Sequence, residues 1–217
     1  MASVVDICNM ALSHAGARAQ ITSIAPPDGS VEAGYCARFY PIARKEALEA
    51  SKWTWAKARV ALSEVTNPST TWTYAYALPS DCLSPARVLQ QSIVRSIFSY
   101  PFGPFYTADD FQLFTERGSS DFEVEGQTLL THEPDAVLLY TRDITDTSKF
   151  SAAFTSYLSY LLTSYLAGPI VKGERGAQSA LGWRKMANAV KGDAAADDAN
   201  GSAERAEHIP EHVRFRQ

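Results

Sequence analysis

His208 and His212 stand four residues apart, the spacing at which two imidazoles on one helical turn can hold a metal ion. Pro210 lies between them and no matching ligand stands upstream, so no metal centre is expected. Glu123 and Glu125 share one face of their strand, and a carboxylate pair can act as general acid and base. Phe122 and Val124 claim the inner face, so the two carboxylates read as a solvated outer surface. Cys8, Cys36 and Cys82 are potential nucleophiles or thiolate ligands. Each lies on an apolar face with no histidine close by in sequence, and there a buried thiol suffices. His14, in the last turn of a helix, reads as a side chain favoured by the helix dipole. The chain carries no Gly-rich phosphate loop, no G-x-S-x-G elbow and no H-E-x-x-H. No catalytic, cofactor-binding or metal-ligating residue is therefore assigned, and the chain is not expected to be an enzyme.

The elements that would position these residues can be read from spacing. Ser3 can cap a helix to about Ala15, with Asp6 reaching back to it. Val4, Ile7, Cys8, Ala11, Leu12 and Ala15 form its apolar face, and Gly16 ends it. Pro26-Pro27-Asp28-Gly29-Ser30 reads as a turn and then a cap. In the helix that follows, Cys36, Phe39, Tyr40, Ala43, Ala47 and Ala50 make one stripe, and Arg38, Lys45, Glu49 and Lys52 lie opposite. Pro41 should kink it. From Trp53 the pattern turns strand-like: Trp53, Trp55 and Val60 suit a half-buried pleated surface.

Trp72, Tyr74 and Tyr76 then alternate with small residues as a strand. Arg87-Val88-Leu89 and 111–117 are further strand candidates. Residues 122–131, turning at Gly126, are the clearest hairpin. Ala136 to Tyr140 forms the last strand, closed by Asp143 and Asp146. The stretch 93–106 is rich in aromatics, among them Ile97, Phe98, Tyr100, Phe102 and Phe105. It is either a loop folded on the sheet or a sticky surface for a neighbouring subunit.

Ser148 to Ala167 reads as a helix apolar on nearly all sides, with Tyr157 and Tyr160 on a second, semi-polar face. Gly168-Pro169 should bend or break it. Gly173 to Lys191 is a further helix rich in small residues, anchored by Trp183. The end, His212 to Gln217, alternates polar and apolar. Docked as an added strand, it would fill pockets with Val213 and Phe215.

The sequence W-T-W-A-K-A-R-V-A-L at 53–62 and W-T-Y-A-Y-A-L-P-S-D-C-L at 72–83 resembles the tail tubular protein A family of short-tailed bacteriophages. F-E-V-E-G-Q-T-L-L-T at 122–131 and L-L-Y-T-R-D-I-T-D at 138–146 continue the likeness. It runs in order of elements from about Val5 to Val190. The resemblance implies a virion structural protein, a head-to-tail connector assembled in the host cytoplasm. It implies a ring, dodecameric in this family, between the portal protein and the tail tube or nozzle. Double-stranded DNA would pass the lumen without specific binding. The candidate interface residues are Ile97, Phe98, Tyr100, Phe102, Phe105, Tyr157, Tyr160, Val213 and Phe215. The alternative is a small ligand-binding or enzymatic α+β domain.

Composition fits these expectations. A formal net charge of -4 argues against a general nucleic-acid binder, which would normally be basic. Three widely spaced cysteines suggest reduced thiols rather than a disulfide frame. No apolar run approaches the ~20 residues of a membrane span, and no membrane partner is expected. The expected fold is α+β: a bundle of about four helices, with a small antiparallel β domain inserted between the second and third. Its parts would be residues 1–52 and 147–192 for the bundle and 53–146 for the β domain. Residues 193–217 would form a C-terminal tail, partly extended or disordered when free.

Overall fold

A computed structural model of the chain describes residues 2–18, 20–89 and 119–202. The aromatic stretch 93–106, the strand candidate 111–117 and the end from 203, with His208 and His212, lie outside the described residues. The fold is α+β, with antiparallel strands between the second and third helices. The chain divides into two compact units, Met1–Ala47 with Asp146–Gln217, and Leu48–Thr145.

In the first unit, α1 (Val4–His14) starts at the cap expected for it. Asp6 N–H donates to Ser3 Oγ (3.1 Å), and Ser3 N–H donates to Asp6 Oδ2 (2.8 Å). Its buried face is Ile7, Cys8, Ala11 and Leu12. The connection to α2 (Val31–Glu49) is organised by Asp28, which accepts from Thr22 N–H (2.7 Å) and Ser30 N–H (3.0 Å). Ser30 Oγ in turn accepts from Ala33 N–H (3.2 Å) in the first turn of α2. Along α2, Cys36, Tyr40, Ala43 and Ala47 are buried while Arg38, Lys45 and Glu49 are exposed, as the stripe predicts. Pro41 lies inside the helix.

The third helix begins later than its apolar pattern does. Thr147–Lys149 is a 3-10 turn capped by Asp146, and α3 (Ala152–Val171) starts after Ser151, whose Oγ accepts from Phe154 N–H (3.1 Å). Pro169 does not break α3. It sits in the last turn, where its missing N–H removes a single bond. The chain reverses instead at Lys172 (φ 60°) and Gly173 (φ 62°). From there α4 (Gly173–Ser202) runs 30 residues, so 193–202 continue the helix. A side chain at Gly176 would come within 3.1 Å of the Gly168 carbonyl oxygen and 3.2 Å of that of Ala167. Its absence lets the start of α4 approach the end of α3.

Among the described residues the second unit holds two four-stranded antiparallel sheets. The first has the order β1 (Lys57–Ala61), β8 (Val137–Arg142), β4 (Cys82–Leu89), β5 (Ser119–Ser120). The second has the order β2 (Ser63–Glu64), β3 (Tyr74–Ala77), β7 (Thr128–Thr131), β6 (Phe122–Glu125). One core is shared between them: Tyr76 and Leu129 from the second sheet, Val88, Leu138 and Tyr140 from the first, with Ala136. The chain crosses between sheets at Leu62, whose N–H donates to Ala136 O (2.9 Å). Gly126 (φ 60°) makes the turn of the β6–β7 hairpin.

Three strand expectations need correction. Trp53 and Trp55 are not in a strand: Thr54–Ala56 is a 3-10 turn, with Trp53 buried as an anchor, and β1 begins at Lys57. Trp72 precedes β3, which starts at Tyr74. Val124 is 38% exposed rather than inside. It shares the face of Leu129, its cross-strand partner, but lies on the last strand of the sheet, past the reach of the core.

Two glycines of α4 should respond oppositely to a side chain. Gly182 is exposed with open space around its Cβ position, so Gly182→Ala should stabilise by about 0.5–1 kcal/mol. Gly176→Val should lower the melting temperature by several degrees, because the obstructing atoms are backbone. Thermal denaturation of the two variants beside the parent checks both.

Candidate functional site

Four groupings of polar and titratable side chains among the described residues bear on chemistry, and each begins from local structure. The first is a shallow depression of about 410 Å³ lined by Asp6, Asn9, Met10, Ser13, His14 and Gln20. Its polar side chains are largely committed. Asp6 closes the α1 cap, and the Ser3 backbone and hydroxyl hold its carboxyl below the usual range. Asn9 clamps Ile21 through Nδ2 to the carbonyl (3.0 Å) and Oδ1 to the N–H (2.9 Å). Ser13 Oγ donates to Asn9 O (2.8 Å). His14 packs against Tyr160 (5.0 Å) and Trp183 (5.1 Å), which stack on each other at 5.7 Å. Burial among these rings holds the His14 pKa down. The dipole-favoured cation expected there is thus replaced by an imidazole that favours the neutral form.

The second place ties α2, α3 and α4 together. Glu46 Oε2 accepts from Tyr165 OH (2.5 Å) and from Arg184 Nη1 (3.3 Å), while Arg184 Nη2 pairs with Oε1. Phe39 stacks on the Tyr165 ring at 5.8 Å, and the Arg184 guanidinium lies 5.8 Å from the same ring centroid. Burial raises the Tyr165 pKa, and its bond to Glu46 adds to that. Burial opposes the Arg184 charge, but the Tyr165 and Glu46 contacts outweigh it and the pKa rises. Both charged side chains keep partial solvent exposure, 41% and 31%, so the pair contributes about 1 kcal/mol or less. It fixes how the helices meet and offers no free base.

The third is the pair Cys8 and Cys36, both fully buried free thiols that act on one another electrostatically. The neighbouring Cys36 thiol and burial push the Cys8 thiol far up, so it stays protonated. The fourth is a surface group in the β unit. Trp72 Nε1 donates to Glu123 Oε2 (3.0 Å), Trp72 packs on His132 (4.7 Å), and Thr73 Oγ1 is hydrogen-bonded to His132 Nδ1 (2.9 Å). Glu123 and Glu125 are both exposed, as expected. Among the described residues no cluster of three His, Cys, Asp or Glu side chains is placed to hold a metal ion. Among them, too, no helix is long and apolar enough to cross a membrane.

Of the interface candidates, Ile97, Phe98, Tyr100, Phe102, Phe105, Val213 and Phe215 lie outside the described residues. Tyr157 is 2% exposed, so its ring is inside the fold and not on a surface. Tyr160 is half-buried in the stack with Trp183 and His14. Compared with known proteins, the chain matches no protein-family model and no curated protein.

Tyr40 gives a test of these assignments. Its hydroxyl is buried with no hydrogen-bond partner among the described residues, and burial pushes its pKa up to about 12. Tyr157 is likewise pushed by burial to about 12. In the unfolded chain both ionise near 10.0, so stability should be intact below that pH and fall as pH rises towards about 12. Tyr40→Phe should be neutral or stabilising by up to about 1 kcal/mol at neutral pH and should make the alkaline loss shallower. Denaturant melts across that range are the measurement; a large loss at neutral pH would show that the hydroxyl is bonded.

Proposed function

We propose that the chain is a head-to-tail connector of a short-tailed phage virion, a subunit of a ring between portal and tail tube or nozzle. The order of elements supports this reading: two helices, an antiparallel β unit, then two helices, which is the order in which the resemblance runs. The observation that carries it is the surface of α4. That helix buries Gly176, Ala187 and Ala194 on one stripe and leaves Leu181 66% and Met186 49% exposed. Five residues apart, the two project about 140° from one another around the helix axis, so each is a separate apolar contact point offered to a neighbouring subunit. A closing ring requires two different patches on each copy, and the aromatic stretch 93–106 is the other candidate. A mildly acidic protein suits a lumen that passes DNA, because each neutralised phosphate would add affinity and retard passage. An enzymatic or ligand-binding reading gains nothing from the depression on α1, whose Asp6, Asn9 and Ser13 are spent on structure.

The test is attachment to a portal ring. The purified chain, mixed with portal rings, should co-sediment and appear as a ring at the vertex end by electron microscopy. Leu181→Ser with Met186→Ser should leave the melting temperature nearly unchanged, since both are exposed, and should weaken ring formation. A chain that stays solitary beside portal rings overturns the reading.

A further inference from the structure

Strand β6 is the last strand of its sheet: β7 pairs it on one side, and among the described residues nothing pairs the other. Its four residues alternate sharply. Phe122 and Val124 share the face of Leu129 and Thr131, their cross-strand partners, and that face continues the core. Glu123 and Glu125 point to the opposite face and are exposed. Among the described residues the edge therefore has no strand partner, and it carries an apolar rim at Val124 and two carboxylates two residues apart. A strand that completes it must carry apolar residues on one face and cations on the other, in the same period.

The sequence Val213-Arg214-Phe215-Arg216 has that pattern. Antiparallel addition can place Arg214 opposite Glu125, Phe215 beside Val124 and Arg216 opposite Glu123. All the apolar side chains then fall on the core face and all the charges on the outer one. Shifting the register by one residue would set arginines against the apolar rim, so the match is specific in phase. Glu123 also accepts from Trp72 Nε1, which fixes its carboxylate and leaves its second oxygen to a guanidinium.

We propose that the β6 edge is the docking site for residues 212–216 of a second copy of this chain. Main-chain pairing supplies the attachment and the two Arg–Glu pairs set its phase. The donor segment and the acceptor edge are different parts of the chain, so each copy both gives and receives. Such a contact is heterologous, of the kind that closes into rings. The inference rests on the ring reading for its setting and deepens it, but it needs no portal.

The experiment is therefore run without one. A fluorescent peptide of residues 208–217 is titrated with the full chain, in a square of charge reversals. The parent peptide should bind the parent chain saturably, and added salt should weaken it. Glu123→Arg with Glu125→Arg in the chain, or Arg214→Glu with Arg216→Glu in the peptide, should each weaken binding about tenfold or more. The two reversals together should restore it, a recovery that a merely misfolded edge cannot give. Sedimentation velocity of the full chain should show concentration-dependent association that the tail reversal abolishes. Binding that is absent, or equal in all four combinations, overturns the proposal. So does a chain that takes up the peptide but remains monomeric at every concentration. Those results leave portal attachment untouched, and failure to attach to a portal leaves these results untouched.

Discussion

A helix that is apolar around its whole circumference cannot lie at a surface, and α3 is such a helix. Phe154, Tyr157, Leu158, Leu161, Leu162, Leu166 and Ala167 are all buried, on every side of its axis. Its interior hydroxyls have no water to turn to, so they bond back to the backbone: Thr163 Oγ1 to Ser159 O at 2.7 Å and Ser159 Oγ to Ser156 O at 2.8 Å. Thr163 Oγ1 also lies 3.3 Å from Ala11 O, which sets α1 against this part of α3. The other three helices of the unit follow from this demand. Each presents a narrow stripe: Ile7, Ala11 and Leu12 on α1, Ala43 and Ala47 on α2, Gly176 and Ala187 on α4. On α1 and α4 small residues let the backbones approach α3 closely, so a wide apolar surface is covered with few side chains. The Glu46–Tyr165–Arg184 cluster then fixes the relative rotation of α2, α3 and α4, a role that directional bonds fill and apolar contact alone does not.

The β unit solves burial differently. It is small, so one core must serve two sheets, and its tyrosines carry much of the area. Tyr76 and Tyr140 bury their rings in that core while keeping their hydroxyls bonded, to Glu133 O (3.0 Å) and to Asp81 Oδ1 (3.0 Å). Asp81 is held in turn by Arg142 Nε at 2.8 Å. Pro85 sits within β4 beside register shifts in the β4–β8 ladder, which is where a residue without an N–H can be accommodated.

What could be read in the sequence divides along the range of the interactions. The α1 cap, the α2 stripe and the β6–β7 hairpin depend on residues within a few positions of each other, and their spacing shows them. The turn at Trp53–Ala56 misled because two aromatics two apart have the period of a strand, and a three-residue 3-10 turn is too short to show its own. Pro169 misled because a proline halts a helix through the turn before it, and too little helix remained beyond it for that to matter. Tyr165 and Arg184 stand 119 and 138 residues from Glu46. No local pattern could join them, and the same is true of the Cys8–Cys36 contact. Val124 followed its strand's alternation correctly, but a period gives the face and not the position of the strand within the sheet.

Among the described residues, the carboxylates that open helices and turns are structural. Asp6, Asp28 and Asp146 each close a cap or turn, and the hydrogen bonds they accept hold all three carboxyls low. Carboxylates stabilised in that way are poor bases, because the bonds that order them also favour their ionised form. The α+β architecture itself assigns no activity. Among the described residues the surfaces left over are unlike: single exposed apolar side chains on α4, and a charged, half-apolar strand edge at β6. Identical patches would pair copies about a two-fold axis and stop at a dimer. Unlike patches propagate from copy to copy, and the assembly ends only when the rotation closes.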